Sequence, residues 1–422
     1  MFVPILPPAE PLRPASANRR LRPRRIPPTE PTPPIVDLVH DTGQRRRPTQ
    51  QGGSVTTATI PIFDGHNDTL LNLPATGRSF FERSDQGHID LPRARAGNLV
   101  GGFFAVFIPD PEPDPEPMPT ATGTASSGEG VAAMANRIAD RYSSVETTPP
   151  AMDLAYAQRT ALAMIARLHR LERESNGQAR VVRSVADIRR CLDDGALAME
   201  LHMEGAEAID PDLDALEVYH AAGLRSLGIT WSRANRFGHG VPFQFPATPD
   251  TGPGLTDLGF ALVDACNQLR IMIDLSHLNE AGFWDVANRS NAPLVATHSN
   301  VHAISPGARN LTDRQLDAIR DSDGMVGLNF HVGFLTRDGS RDPDIALDIM
   351  VDHLDALIDK LGETRVGLGS DFDGATMPRP ITDAAGLPRL IDALRARGYD
   401  DVLLRKIGYE NWLRVLEATW GA

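Results

Sequence analysis

Residues 271–298, IMIDLSHLNEAGFWDVANRSNAPLVATH, carry the pattern that decides the fold. Two short apolar runs, 270–275 and 293–297, flank EAGFWDVANRS, whose apolar positions recur at three-to-four spacing. That order reads as strand, helix, strand, the unit that builds parallel sheets. Each strand runs out into a histidine, first His277 and then His298. On adjacent parallel strands the two exits share one end of the sheet, so the two rings are expected to be neighbours.

Moving outward, IPIFDGHND (60–68), LAMELHMEG (197–205) and VGLGSDFDG (366–374) end in the same way, on histidine or carboxylate. Apolar runs bounded by turn residues predict eight strands: 60–64, 100–107, 197–203, 224–230, 270–275, 293–297, 324–329 and 365–370. Amphipathic segments such as ALAMIARLHRLERE, DLDALEVYHAAG, LTDLGFALVDACNQL and LTDRQLDAIRDS lie between them. Thr256 and Thr312 each precede an acidic first turn, a helix-start signal. Eight strands alternating with helices predict an α/β fold, a (β/α)8 TIM-like barrel, which collects its catalytic groups at the strand exits.

The first 50 residues hold 12 of the 34 prolines and nine arginines against four acids, so the remainder carries about −18 of a whole-chain charge of −13. Residues 1–54 lack a long apolar run and are expected to form a disordered Pro/Arg-rich tail, with residues 55–422 as the barrel domain. Pro-Arg tracts without interleaved aromatics read as solvated tail rather than as a surface for nucleic acid or membrane. No run of 18 apolar residues and no secretory pattern occurs, so a soluble cytoplasmic protein is expected. Residues 110–130, rich in Pro, Gly and Ser, read either as a lid or as a plain surface insertion. Cys191 and Cys266 show no paired or zinc-type spacing and are expected inside helices. Lys360 and Lys406 are the only lysines, both in helix-like segments, which argues against a Schiff-base or carbamylated lysine.

The exits suggest metal chemistry. His66 and Asp68, two apart at a strand end, would point the same way in extended geometry and chelate one ion. Asp64 is in phase as an outer hydrogen-bond partner. Glu200, His202 and Glu204 alternate in ELHME, and burying all three without partners is costly, so at least one should meet a cation. Glu204, nearest the exit and followed by Gly205, is favoured, with His202 as rival and buried salt-bridging as the bland reading. His277 and His298 suit a second ion. Asp371 could move protons at the eighth exit, with Asp373 as the structural rival. Arg309, in SPGARNLT, has a fork able to hold a carboxylate, and His302 reads as a loop residue.

The ordered set FDGHND, MEG, IDLSH, THS, ARN and GSDFDG resembles the renal or membrane dipeptidases, zinc hydrolases of the amidohydrolase-like barrel class, over about residues 58–420. That resemblance implies two Zn²⁺ per chain, one bound by His66 and Asp68, the other by His277 and His298, with Glu204 bridging. It also implies that Arg309 holds the substrate carboxylate, that Asp371 is the acid/base group, and that the protein is a homodimer. A metal-bridging hydroxide would then cleave dipeptides. One departure stands out: Trp231 occupies the place where the renal type carries a substrate-binding histidine, with His239 nearby as a substitute. Trp231 is therefore assigned as a substrate-contacting wall, and it keeps open hydrolysis of non-peptide amides, lactams or lactones, besides a non-catalytic metal-binding barrel. The chain ends EATWGA, so a lipid anchor is not expected.

Overall fold

The computed structural model describes residues 59–111, 140–143 and 152–421. The expected tail, 1–54, and nearly all of the lid-or-insertion segment, 112–130, lie outside these. Nine strands form one parallel sheet: β1 Ile62–Asn67, β2 Leu99–Phe107, β3 Ala179–Val182, β4 Leu197–Glu204, β5 Leu224–Gly228, β6 Met272–Asp274, β7 Val295–Ala296, β8 Met325–Leu328 and β9 Val366–Leu368. The sheet closes because β4 pairs with β2 along Gly101–Phe107 and with β5 on its other edge, while β9 returns to β1. Eight strands thus make a (β/α)8 barrel. The ninth, β3, pairs only with the first half of β4, below the point where β5 joins.

All eight expected barrel strands are present. The unexpected β3, ARVV, is four residues long and has no place in the closed ring. The first strand reaches Asn67 rather than ending near Asp64, so His66 lies within it.

Helices cover the barrel with one apolar stripe each. Leu154–Glu174 buries Ala157, Ala161, Met164, Ile165, Leu168 and Leu171, a helical stripe of three-to-four spacing. Helix starts are fastened by side-chain oxygens: Ser184 accepts from the Asp187 N–H, Thr256 from Gly259 and Asn279 from Gly282. At Thr312 the backbone N–H donates to Gln315 Oε1 at 2.9 Å, half of a capping box. Cys191 and Cys266 are buried free thiols within helices. No helix among the described residues is long and apolar enough to cross a membrane.

Trp412, on the last helix (Asn411–Trp420), packs into the barrel in one cluster with Phe63, Phe103, Met272 and Met325, side chains from four strands. Its indole Nε1 donates to Leu368 O at 3.1 Å, and a Cβ on Gly367 would fall 2.8 Å from that nitrogen. The ring therefore fills space that the bare glycine leaves open. Trp412→Ala is expected to cost about 3–5 kcal/mol, read as a lower denaturation midpoint at unchanged slope. A variant as stable as the parent would remove this role.

Candidate metal centre

The chain gathers the exit residues as the alternation implies, though by several backbone devices. His66 faces inward from β1, and Asp68 follows at the N-cap position of helix Thr69–Thr76, with φ −102° and ψ 28°. The extended geometry expected across 66–68 is therefore broken at Asp68, yet His66 Nε2 and Asp68 Oδ2 remain 3.5 Å apart. His277 and Asp371 both adopt left-handed backbone, φ 66° and 61°, a conformation uncommon for non-glycine residues. Those turns swing the two side chains back over the barrel mouth.

Glu204, at the end of β4, is the centre of the arrangement. Its Oε1 lies 3.7 Å from His66 Nε2, 3.1 Å from His277 Nε2 and 3.6 Å from His298 Nε2. The two nitrogens of His277 and His298 approach to 3.0 Å. Donor atoms bonded at 2.0–2.1 Å to one tetrahedral ion stand roughly 3.3 Å apart, so these spacings match the edges of a ligand set. Among the described residues two groups could hold an ion, His66 with Glu204 and His298, and His66 with Asp68 and Asp371.

The unmet polar demand points the same way. Neither ring nitrogen of His66 nor Asp68 Oδ1 has a hydrogen-bond partner, although all three are buried. Burial pushes Glu204 well above the usual carboxylate range, and Asp371 upward too. Burial also opposes charge on His66, but Glu204, with Asp68 and Asp371, lifts that ring to about 10. Burial holds His277 and His298 well below the ordinary histidine range, leaving neutral imidazoles with lone pairs to offer. Buried carboxylates beside neutral imidazoles form a donor set suited to a divalent cation. Gly374 keeps the cradle open, because a Cβ there would collide with Asp68 Oδ2 and come within 2.8 Å of Asp371 Oδ1.

The rivals separate. His202 turns its Nδ1 to Ser226 Oγ at 2.8 Å, and the same hydroxyl serves Glu200 at 2.9 Å; neither residue falls in the ion-holding groups that include Glu204 or Asp68. Asp373 is taken up by Arg78 Nη2 at 2.8 Å and Thr69 Oγ1 at 3.0 Å, away from the ligand group. Asp64 accepts from Ser370 N and Oγ at 2.6 and 2.7 Å, which braces the β1–β9 seam rather than His66. His302 lies in a turn and bonds to Ala247 O. His239 spends its Nδ1 on Gly254 O at 3.0 Å.

Arg309 is buried, bonded through Nη1 to Ser299 Oγ (2.7 Å) and through Nη2 to His298 O (3.0 Å), with Nε unpaired. Burial lowers it to about 10, still a cation at neutral pH. Trp231 lies 5.6 Å from the His277 ring, boxed by Phe107, Tyr142 and Phe243 and backed by the Arg233 guanidinium at 5.4 Å. Several partners went unnoticed in the sequence. Asn329 Nδ2 donates to Asp371 Oδ2 at 2.9 Å, Ser232 Oγ meets His277 Nδ1 at 2.7 Å, and Thr297 Oγ1 meets His298 Nδ1 at 2.7 Å. Each is a polar residue at or just past an apolar strand, the same signal that marks the candidate ligands.

The profile of the family described as membrane dipeptidase (peptidase family M19) matches residues 54–420. A metallopeptidase from Rhodobacter sphaeroides, solved with a phosphinate mimic of the dipeptide L-Ala-D-Ala, is 50% identical, with a TM-score of 0.78 over 86% of this chain and all of that one. A structure described as the dipeptidase AC of family M19 is also 50% identical, with a TM-score of 0.77 at the same coverage. A Klebsiella pneumoniae protein, described only as an uncharacterized protein in the pqqA 5′ region, is 53% identical over 61% of this chain and 94% of its own length.

Proposed function

Because the chain belongs to the membrane dipeptidase family, peptidase family M19, we propose that it cleaves dipeptides with two zinc ions, one held by His66 and Asp68, the other by His277 and His298, with Glu204 shared. The enzyme is a metallo-dipeptidase, a hydrolase acting on peptide bonds. Two observations support the two-ion reading: the cluster residues fall into two groups that share His66, and a single oxygen, Glu204 Oε1, stands 3.1–3.7 Å from the Nε2 atoms of three histidines at or past the ends of three other strands.

Zinc bound there would polarise the scissile carbonyl and lower the pKa of water. The chain's own residues supply the rest. Arg309 has two donors anchored and the remainder of its fork available for the free carboxylate of a dipeptide, which would fix the scissile bond in register. Trp231 offers an apolar face beside His277 for a substrate side chain. Asp371 Oδ2 is taken by Asn329, so Oδ1 is the atom that would accept the proton of the attacking water and return it to the leaving amine. The bound mimic of the Rhodobacter sphaeroides relative supports dipeptides whose second residue has the D configuration as the substrate class.

Activity on an L-Ala-D-Ala type dipeptide is expected to fall by about 100-fold or more after dialysis against a strong chelator, and to return when two equivalents of zinc are added. Equal rates with and without chelator would reject the metal mechanism. A screen of dipeptides with L and D second residues tests the substrate class directly.

A further inference from the structure

We propose that Asp274 and Thr297 form a hydrogen-bond relay that locks His298 in its Nδ1-protonated tautomer, making it the one preset imidazole of the centre; this rests on the reading of His298 as a metal ligand. Asp274 ends β6 and is buried in the barrel wall beneath the site. Its Oδ1 accepts the backbone N–H groups of Ser276 (2.9 Å) and Thr297 (2.8 Å), and its Oδ2 accepts Thr297 Oγ1 at 2.6 Å. A threonine hydroxyl has one proton, and here it goes to the carboxylate. Thr297 Oγ1 can then only accept from His298 Nδ1, 2.7 Å away. With the proton on Nδ1, the Nε2 lone pair faces Glu204 Oε1 and His277 Nε2.

The other imidazoles lack this control. Ser232 Oγ, 2.7 Å from His277 Nδ1, has no second partner among the described residues, so its proton can point either way and His277 can take either tautomer. His66 has no hydrogen bond on either nitrogen. With the His298 Nε2 bare of a proton, the 3.0 Å approach of the two Nε2 atoms is a hydrogen bond only when His277 donates and His298 accepts. To offer a lone pair, His277 would have to carry its proton on Nδ1 toward Ser232 Oγ, whereas His298 already does so toward Thr297. Outer partners that set a ligand's tautomer are worth about 10–100-fold in metal affinity. Asp274 and Thr297 are thus positioning residues that never touch the substrate.

The test compares Thr297→Val, which keeps shape and loses the hydroxyl, with Thr297→Ser, which keeps the hydroxyl and loses a methyl group. Zinc affinity and stoichiometry are read by competition with a chromophoric chelator, and folding by circular dichroism. The relay predicts that one of two ions binds about 10–100-fold more weakly in Thr297→Val, and that Thr297→Ser binds both as the parent does. A packing role predicts the reverse order, and that order would overturn the relay, as would Thr297→Val matching the parent. His298→Ala separates the two levels: if it keeps both ions, the ligand reading falls and the relay with it. If it loses one ion while Thr297→Val loses none, the relay alone falls.

Discussion

Glu204→Gln is expected to lower kcat/KM on a dipeptide by about 10³-fold or more, about 4 kcal/mol of transition-state stabilisation, and to reduce bound zinc from two ions to one or none. The substitution is nearly isosteric, so the loss would come from charge and from proton placement. A carboxylate offers lone pairs on both oxygens, whereas an amide turns one position into a donor facing the imidazole nitrogens now 3.1–3.7 Å from Oε1. The sign for stability is the opposite. Burial disfavours the ionised Glu204 by more than the neighbouring His66 offsets, so without metal the neutral glutamine removes a net cost. Metal-free Glu204→Gln should melt no lower than the metal-free parent, while the rise in Tm on adding zinc should shrink, since stabilisation by a ligand follows its affinity for the folded state. A variant that binds two ions and turns over within tenfold of the parent would remove Glu204 as the shared ligand.

The barrel was legible because its strands are buried on both faces and read as continuous apolar runs, each punctuated by a polar exit. What failed was whatever depends on partners distant in sequence. The segment ARVV is short, carries Arg180 and pairs only with part of β4, so nothing local distinguishes β3 from a turn. The run 293–297 was expected as a five-residue strand, but only Val295–Ala296 ladder. There the Asp274 carboxylate takes the Thr297 N–H, so a side chain does the work of the next backbone carbonyl. The same holds at the site. The histidines and carboxylates announced themselves by residue type and position. The left-handed turns at His277 and Asp371 did not, because neither residue is one whose chemistry demands such a backbone. Asn329 carries that positional signal too, but nothing local shows that its partner is a carboxylate 42 positions later.

Asp371→Asn is the sharpest test of the proton shuttle. Asparagine tolerates the left-handed region well, so the φ of 61° at this position can survive the change, and the side-chain oxygen can still accept from Asn329. What disappears is the ability of Oδ1 to take and return a proton. General acid–base groups contribute about 10²–10⁴-fold, so kcat should fall by that factor while KM stays within a few-fold and both zinc ions remain bound. The metal count matters because Asp371 also stands within the cluster of His66 and Asp68. If the variant loses an ion together with its activity, Asp371 is a ligand rather than a shuttle, and the proton must travel by another group. If it keeps both ions and full kcat, no proton passes through Asp371 at all.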